Sequence, residues 1–217
     1  LDFRGGEIEI QGGLFEYADP GNLEDFEIAG AGEDDHPHLR LSGGAQASGI
    51  DALTIGGTGA GALGLEDGAS LATAGGVSVQ GQGRLEGRGE ISGKVKAGTG
   101  STINPGDPVG TITIAGKLTA SGGTGEDEAA VLNIEIRAGE DNCGRIRVTG
   151  DTLLENTEIG IRDISGGAVT QGTSYEFLLP EGALDWDWDD ADFVSRSPLY
   201  AFSPVDDGTR FTASRLA

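Results

Sequence analysis

The chain has 217 residues, enough for one elongated domain or for one globular domain with a small appendage. A formal net charge of -22 with only 14 Lys and Arg excludes the basic stripe that phosphate binding needs, so neither nucleic acid nor an anionic membrane surface is an expected partner. The 40 glycines follow no Gly-X-Y period, which excludes collagen, and the 36% of hydrophobic residues fall in short β-branched or leucine pairs that a disordered chain would lack.

The acidity supports solubility, repels copies along the flanks and offers oxygen ligands to divalent cations. No run approaches the ~18 apolar residues of a membrane span. There is no methionine and no N-terminal signal, and the expectation is a processed or excerpted piece of a longer exported protein, at the cell surface or outside it.

Short strand patterns recur along the chain, at Glu7 to Ile10, Asp25 to Ile28, His38 to Leu41, Ala52 to Ile55, Ala62 to Leu65 and Ser70 to Thr73. They continue at Gly76 to Val79, Gly83 to Glu86, Glu90 to Ser92 and Lys94 to Lys96, each ending in glycine or an acidic turn. Strands of three to five residues cannot build a two-sheet sandwich, but stacked coils let each pair with its equivalents above and below. Thr111 to Leu118 alternates, with Ile112 and Ile114 on the dry face and Thr111 and Thr113 on the other. Glycine then thins, with 31 of the 40 in residues 1–125 and 9 in residues 126–217, where longer strands are predicted. Val131 to Arg137 turns Leu132, Ile134 and Ile136 inward, and Gly144 to Thr149 does the same with Ile146 and Val148. Glu158 to Ile164, Ser174 to Leu179 and Thr209 to Ala213 follow, and no amphipathic helix is found.

Chemistry-bearing motifs are sparse. His36 and His38 would share a face if their segment were a strand and could hold a metal with Asp34, but Pro37 separates them and a solvated acidic loop is expected. Gly122-Gly-Thr-Gly-Glu-Asp-Glu-Ala-Ala130 fits a calcium-binding nonapeptide in its glycines and Asp127, with Ala129 where a large aliphatic belongs and no tandem copy. Cys143 is the one cysteine, which excludes an internal disulfide, and its Asp141-Asn-Cys-Gly context is turn-like and predicted to be exposed. Asp185-Trp-Asp-Trp-Asp-Asp-Ala-Asp192 imitates the start of an EF-hand, with Asp190 in the place of the turn glycine and Arg196 in that of the bidentate glutamate. Asp127, Asp185, Asp187 and Asp189 are therefore the candidate ligands for calcium, and no other cofactor is expected.

Rings are absent between Phe26 and Tyr175, so aliphatic side chains must fill the interior there. Trp186, Trp188, Phe193, Tyr200 and Phe202 cluster near the end and suit a terminal cap; Trp186, Trp188, Tyr200 and Phe202 are the candidate binding or assembly residues. No Ser-His-Asp constellation or Gly-x-Ser-x-Gly elbow is present, and nothing selects a working carboxylate pair among 36 acids, so no catalytic residue is assigned.

The stretch Asn104-Pro-Gly-Asp-Pro-Val-Gly-Thr-Ile-Thr-Ile-Ala-Gly-Lys-Leu-Thr119 resembles the "PGxSxGTLTIxGxLTL" motif of autotransporter-type passenger domains and related bacterial surface β-helix proteins, with Asp107 and Pro108 where that family usually has Asn or Ser. Gly172-Thr-Ser-Tyr-Glu-Phe-Leu-Leu179 and Asp206-Asp-Gly-Thr-Arg-Phe-Thr212 are similar to the strands that close such passengers. The resemblance implies an exported β-helix, a scaffold that carries structural fibres, adhesins and enzymes alike.

The expected fold is all-β, an irregular right-handed parallel β-solenoid with glycine-rich coils over 1–125 and a longer-stranded region over 126–217 ending in an aromatic-rich β cap. The expected function is non-catalytic and structural, a passenger, stalk or fibre segment; an adhesin is the alternative, and a carbohydrate-active enzyme the third reading. Expected partners are the chain itself, in end-to-end assembly, or a surface glycan.

Overall fold

The computed structural model describes residues 2–18, 23–32, 35–106, 109–124, 128–137, 142–164, 169–186, 193–197, 199–205 and 208–215. They form strands and no helix. In chain order these are β1 (Asp2–Phe3), β2 (Glu7–Gln11), β3 (Leu14–Glu16), β4 (Glu24–Ile28), β5 (His38–Ser42), β6 (Gln46–Gly56), β7 (Gly61–Gln80), β8 (Gly83–Ser92), β9 (Val95–Ala97), β10 (Thr102–Pro105), β11 (Thr111–Ala115) and β12 (Leu118–Ser121). There follow β13 (Ala130–Arg137), β14 (Asn142–Cys143), β15 (Arg145–Val148), β16 (Thr152–Glu155), β17 (Thr157–Asp163), β18 (Ser174–Glu176), β19 (Leu178–Pro180), β20 (Leu184–Trp186), β21 (Phe193–Ser195), β22 (Tyr200–Val205) and β23 (Arg210–Arg215).

Twenty strands join one curled, mostly parallel sheet, and β18, β23 and β22 make a separate antiparallel one. Among the described residues the parallel pairings fall into three ladders. The first runs β2, β5, β7, β8, β10, β13, β17, β21. The second runs β3, β6, β7, β8, β11, β15, β19. The third runs β1, β4, β6, β7, β9, β12, β16, β20. The chain visits the three in the same order on each circuit, so each strand is paired by its counterparts from the circuits before and after. The ladders run unbroken past residue 125, where β10 pairs with β13 and β12 with β16.

Parallel register stacks like position on like position. In the first ladder the column Ile8, Leu39, Leu63, Leu85, Ile103, Leu132, Ile159, Phe193 runs from end to end, about 34 Å at the ~4.8 Å strand spacing. Phe15, Ala47, Leu71, Ile91, Ile114, Val148 and Pro180 make a column of the second ladder. Phe3, Ile28, Ile55, Val79, Ala97, Ala120, Leu154 and Trp186 make one of the third. The alternation predicted for Ile112 and Ile114, for Leu132, Ile134 and Ile136, and for Ile146 and Val148 holds, since all seven are fully buried.

Strand lengths differ from expectation. Ala62 to Leu65, Ser70 to Thr73 and Gly76 to Val79, predicted as separate strands, belong to one 20-residue β7. The chain turns its corners through positive φ at Asp67, Gly68 and Gly76 without losing contact with its neighbours. Conversely Thr111 to Leu118 breaks at Gly116-Lys117 into β11 and β12. The lengthening predicted beyond residue 125 is seen in β13 and β17 and not in β15, β16 or β19; the longest strands lie in the glycine-rich part. Glycine is what permits this, because circuits meet closely at corners. At Gly87, φ is +100° and a Cβ would lie 2.1 Å from the Leu65 carbonyl oxygen, a contact no side chain survives. Pro105-Gly106 ends β10, with Gly106 at φ +100°; Asp107 and Pro108 lie outside the described residues.

Two stability outcomes follow from the columns. Ile112→Asp and Ile114→Asp each place a carboxylate in a dry column and are expected to cost several kcal/mol, whereas Thr113→Asp on the outward side leaves the thermal midpoint within a few degrees. Thr152 stands in the column Phe26, Leu53, Val77, Val95, Leu118, Thr152, Leu184 with a buried hydroxyl that has no hydrogen-bond partner among the described residues. Thr152→Val is therefore expected to stabilise by about 1 kcal/mol in urea unfolding at constant m-value.

Candidate functional site

The strongest convergence of predicted residues is at the C-terminal end of the stack. Phe177, fully buried between β18 and β19, meets Trp186 edge-on at 6.3 Å and Phe193 at 6.2 Å, and lies 5.8 Å from Phe211. Trp186 stacks on Phe193 at 5.9 Å, and Phe211 contacts Tyr175 at 5.4 Å and Phe202 at 5.5 Å. Trp186 and Phe193 are the last residues of two interior columns and belong to the last circuit, and the small antiparallel sheet adds Tyr175, Phe202 and Phe211 to the same ring cluster. Tyr200 is buried, its hydroxyl accepting the Val169 N–H at 2.9 Å and its carbonyl accepting the Ser195 hydroxyl. Phe202 is buried as well, so neither of these two presents a ring to solvent.

Asp185 points outward on β20, opposite in parity to Trp186, and pairs in register with Leu153. Asp127, Asp187, Asp189 and Trp188 lie outside the described residues. In the nonapeptide-like segment Gly122 donates its N–H to the Glu155 carbonyl and Gly123 donates to that of Glu128, closing a loop between β12 and β13. Among the described residues no three His, Cys, Asp or Glu side chains converge as a metal site.

Rings also occupy the other end. Phe3, Phe15 and Tyr17 are half-buried against the core and Tyr17 stacks on Phe26 at 5.2 Å. The sequence signal was the confinement of rings to residues 3–26 and 175–211, which marks both ends of the stack and not the C-terminal one alone.

A polar site missed in the sequence lies on the outward side of the first ladder. His38 opens β5, as the strand pattern from His38 to Leu41 predicts and unlike the solvated loop expected for the His36 to His38 segment, and its Nε2 is 3.6 Å from Glu86 Oε1. Arg84 contacts the other oxygen of Glu86 at 3.1 Å, and Arg40 contacts Glu66 at 2.8 Å. Glu66, then Glu7 and Glu9, hold the Arg40 guanidinium above its already high ordinary range. Gly64 makes the crossing from His38 to Glu86 possible, because a Cβ there would come within 2.9 Å of His38 Nε2. Two hollows flank this network. One of about 560 Å³ is lined by His36, His38, Gln82, Arg84 and Thr102, and one of about 200 Å³ by Arg40, Glu66, Glu86, Asn104 and Glu135. The strands that carry them belong to successive circuits, so the register brings β5, β7, β8, β10 and β13 together here. The arrangement can hydrogen-bond a polar ligand and balances most of its own charge.

Cys143, predicted to be exposed, is 1% exposed, because β14 folds back antiparallel on Ile136 and Arg137 and carries the thiol into the core. Its Sγ lies 3.3 Å from the Glu176 carbonyl oxygen, and burial pushes its pKa up from 9.0 to about 11. The folded state therefore keeps a proton that the unfolded chain loses, and the contribution to stability is complete below pH 9 and falls away as pH rises toward 11. Unfolding free energy is expected to drop by roughly 2 kcal/mol more across that interval in the native sequence than in Cys143→Ser, measured by urea titration at each pH.

Compared with known protein families and with curated proteins, the chain matches no family model and no curated sequence.

Proposed function

We propose that the chain is a non-catalytic structural segment of a bacterial surface or secreted protein, a right-handed parallel β-solenoid that serves as a rigid rod in a passenger, stalk or fibre. The observation that carries this reading is the unbroken aliphatic column from Ile8 to Phe193, one side chain per circuit, with aromatic side chains at its C-terminal end. A core of that form resists bending because displacing one circuit breaks the ladders on both of its sides. Dense surface acidity supports the same reading, since charged flanks oppose lateral association of rods.

One observation favours an adhesin as the second reading. The hollow lined by His36, His38, Gln82, Arg84 and Thr102 offers hydrogen-bond donors to a glycan, although no Phe, Tyr or Trp lies between Phe26 and Tyr175 to stack on a sugar face.

The test combines two variants with a glycan array. Trp186→Ala removes a ring from the cluster at the last circuit, and the expected result is a thermal midpoint lowered by several degrees with no change on the array. Arg84→Ala, on an exposed side chain, is expected to change neither. Glycan retention that disappears in Arg84→Ala at unchanged melting would establish the adhesin reading, and polysaccharide turnover by the purified chain would establish the enzyme.

A further inference from the structure

The two ends of the stack are finished differently. At the C-terminal end the rings of Phe177, Trp186, Phe193 and Phe211 cluster at the last circuit, and the second ladder terminates on β19. There the Phe177 carbonyl accepts from Ile146 and the Glu181 N–H donates to Val148, so by alternation residue 180 faces the free side, and as proline it has no N–H to offer.

The N-terminal end keeps its donors. On β2 the Gly6 carbonyl accepts from His38 and the Gly12 N–H donates to Ser42, which turns the backbone groups of Glu7, Glu9 and Gln11 away from β5. On β3 the Gly13 carbonyl accepts from Gln46 and the Tyr17 N–H donates to Ser48, which leaves Leu14 and Glu16 on the free side. No described strand pairs with that side of β2 or β3. The column ends open too: Ile8 is 41% exposed where the next residue inward, Leu39, is 2%. On the third ladder the same end is already extended, since β1 lies parallel on β4 with Phe3 in register with Ile28.

We propose that this edge is a strand-accepting surface, and that its occupant is an extended polypeptide segment running parallel to β2 and β3 with apolar side chains inward and Lys or Arg outward. The parallel sense follows from the two ladders that would be continued and from β1 beside them. Apolar inward positions follow from Ile8, Ile10 and Phe15, which lie half-covered at the column ends. Basic outward positions follow from charge: Glu7, Glu9 and Glu16 line the edge, and on the occupied side Arg40 stacks in register with Glu9 and reaches Glu7 at 4.0 Å. A second copy of the chain does not fit. Its own N-terminal edge would set the same three glutamates against these, and at its other end the free side of β19 is taken by the Thr209 carbonyl, which accepts from Leu178, and by Pro180, which has no N–H. The proposal goes beyond the rod reading and stands whether or not a glycan binds elsewhere.

The test uses the 217-residue chain with two acetylated, amidated peptides, Lys-Val-Lys-Val-Lys and Glu-Val-Glu-Val-Glu, and reads amide hydrogen exchange at Glu7, Glu9 and Gln11 by NMR. Expected is slowing of these amides by about tenfold or more with the lysine peptide and none with the glutamate peptide. In the double variant Glu7→Lys with Glu9→Lys, both surface changes on exposed side chains, the preference is expected to reverse. The proposal is overturned by three outcomes: no slowing with either peptide, equal slowing with both, or slowing that depends on protein concentration alone with a doubled solution mass. The last assigns the edge to a second copy.

Discussion

The structure depends on one requirement, that backbone hydrogen-bonding groups of short strands find partners in neighbouring circuits. Strands such as β9, β12 and β16 span only three or four residues and have no stability of their own. Parallel pairing above and below supplies it, and in doing so fixes the register, because slipping by one residue would turn every inward side chain out. Stacking then dictates composition. Side chains at one position repeat at the strand spacing, so each column must be filled by groups that share a narrow cross-section, and Leu, Ile, Val and Ala occupy the middle circuits. Rings find room at the ends, where one side is open.

The outward positions carry no such restriction, and there the acidity accumulates. Arginines are set by the register between acids of neighbouring circuits, as in Arg40 with Glu66, Arg147 with Glu181 and Arg196 with Glu158. Half-exposed pairs of this kind contribute little each. Their effect is to reduce like-charge repulsion between stacked circuits in a chain of net charge -22. The network around His38, Arg84 and Glu86 belongs to the same pattern, made deeper by the missing side chain of Gly64.

A stack of this kind has two ends, and both are exposed-edge problems. The C-terminal end uses bulk and lost donors: rings as the last members of two columns, an antiparallel sheet in contact with them and Pro180 on the free side of the second ladder. The N-terminal end uses charge, with Glu7, Glu9 and Glu16 along paired-strand positions that still hold their N–H groups. Charge repels a like edge and leaves a complementary one able to dock, whereas a covered end admits neither.

Sequence by itself determined the strand-only character of the described residues, the inward residues of β11, β13 and β15 and the aliphatic interior, because these rest on local alternation, on glycine density and on the absence of Phe, Tyr and Trp between Phe26 and Tyr175. It grouped Trp186 and Phe193 in one ring cluster near the end of the chain, and the two rings stack in the structure. Tertiary structure alone decided where strands join or break, as β7 joins three predicted segments, since that depends on whether the neighbouring circuit follows the chain around a corner. It alone buried Cys143, through the antiparallel return of β14 on β13, and it alone gathered His38, Arg40, Glu66, Arg84 and Glu86 on one face. His38 with Arg40 and Arg84 with Glu86 lie two apart on single strands, but the contacts between β5, β7 and β8 are made through inter-circuit register and leave no trace in local spacing.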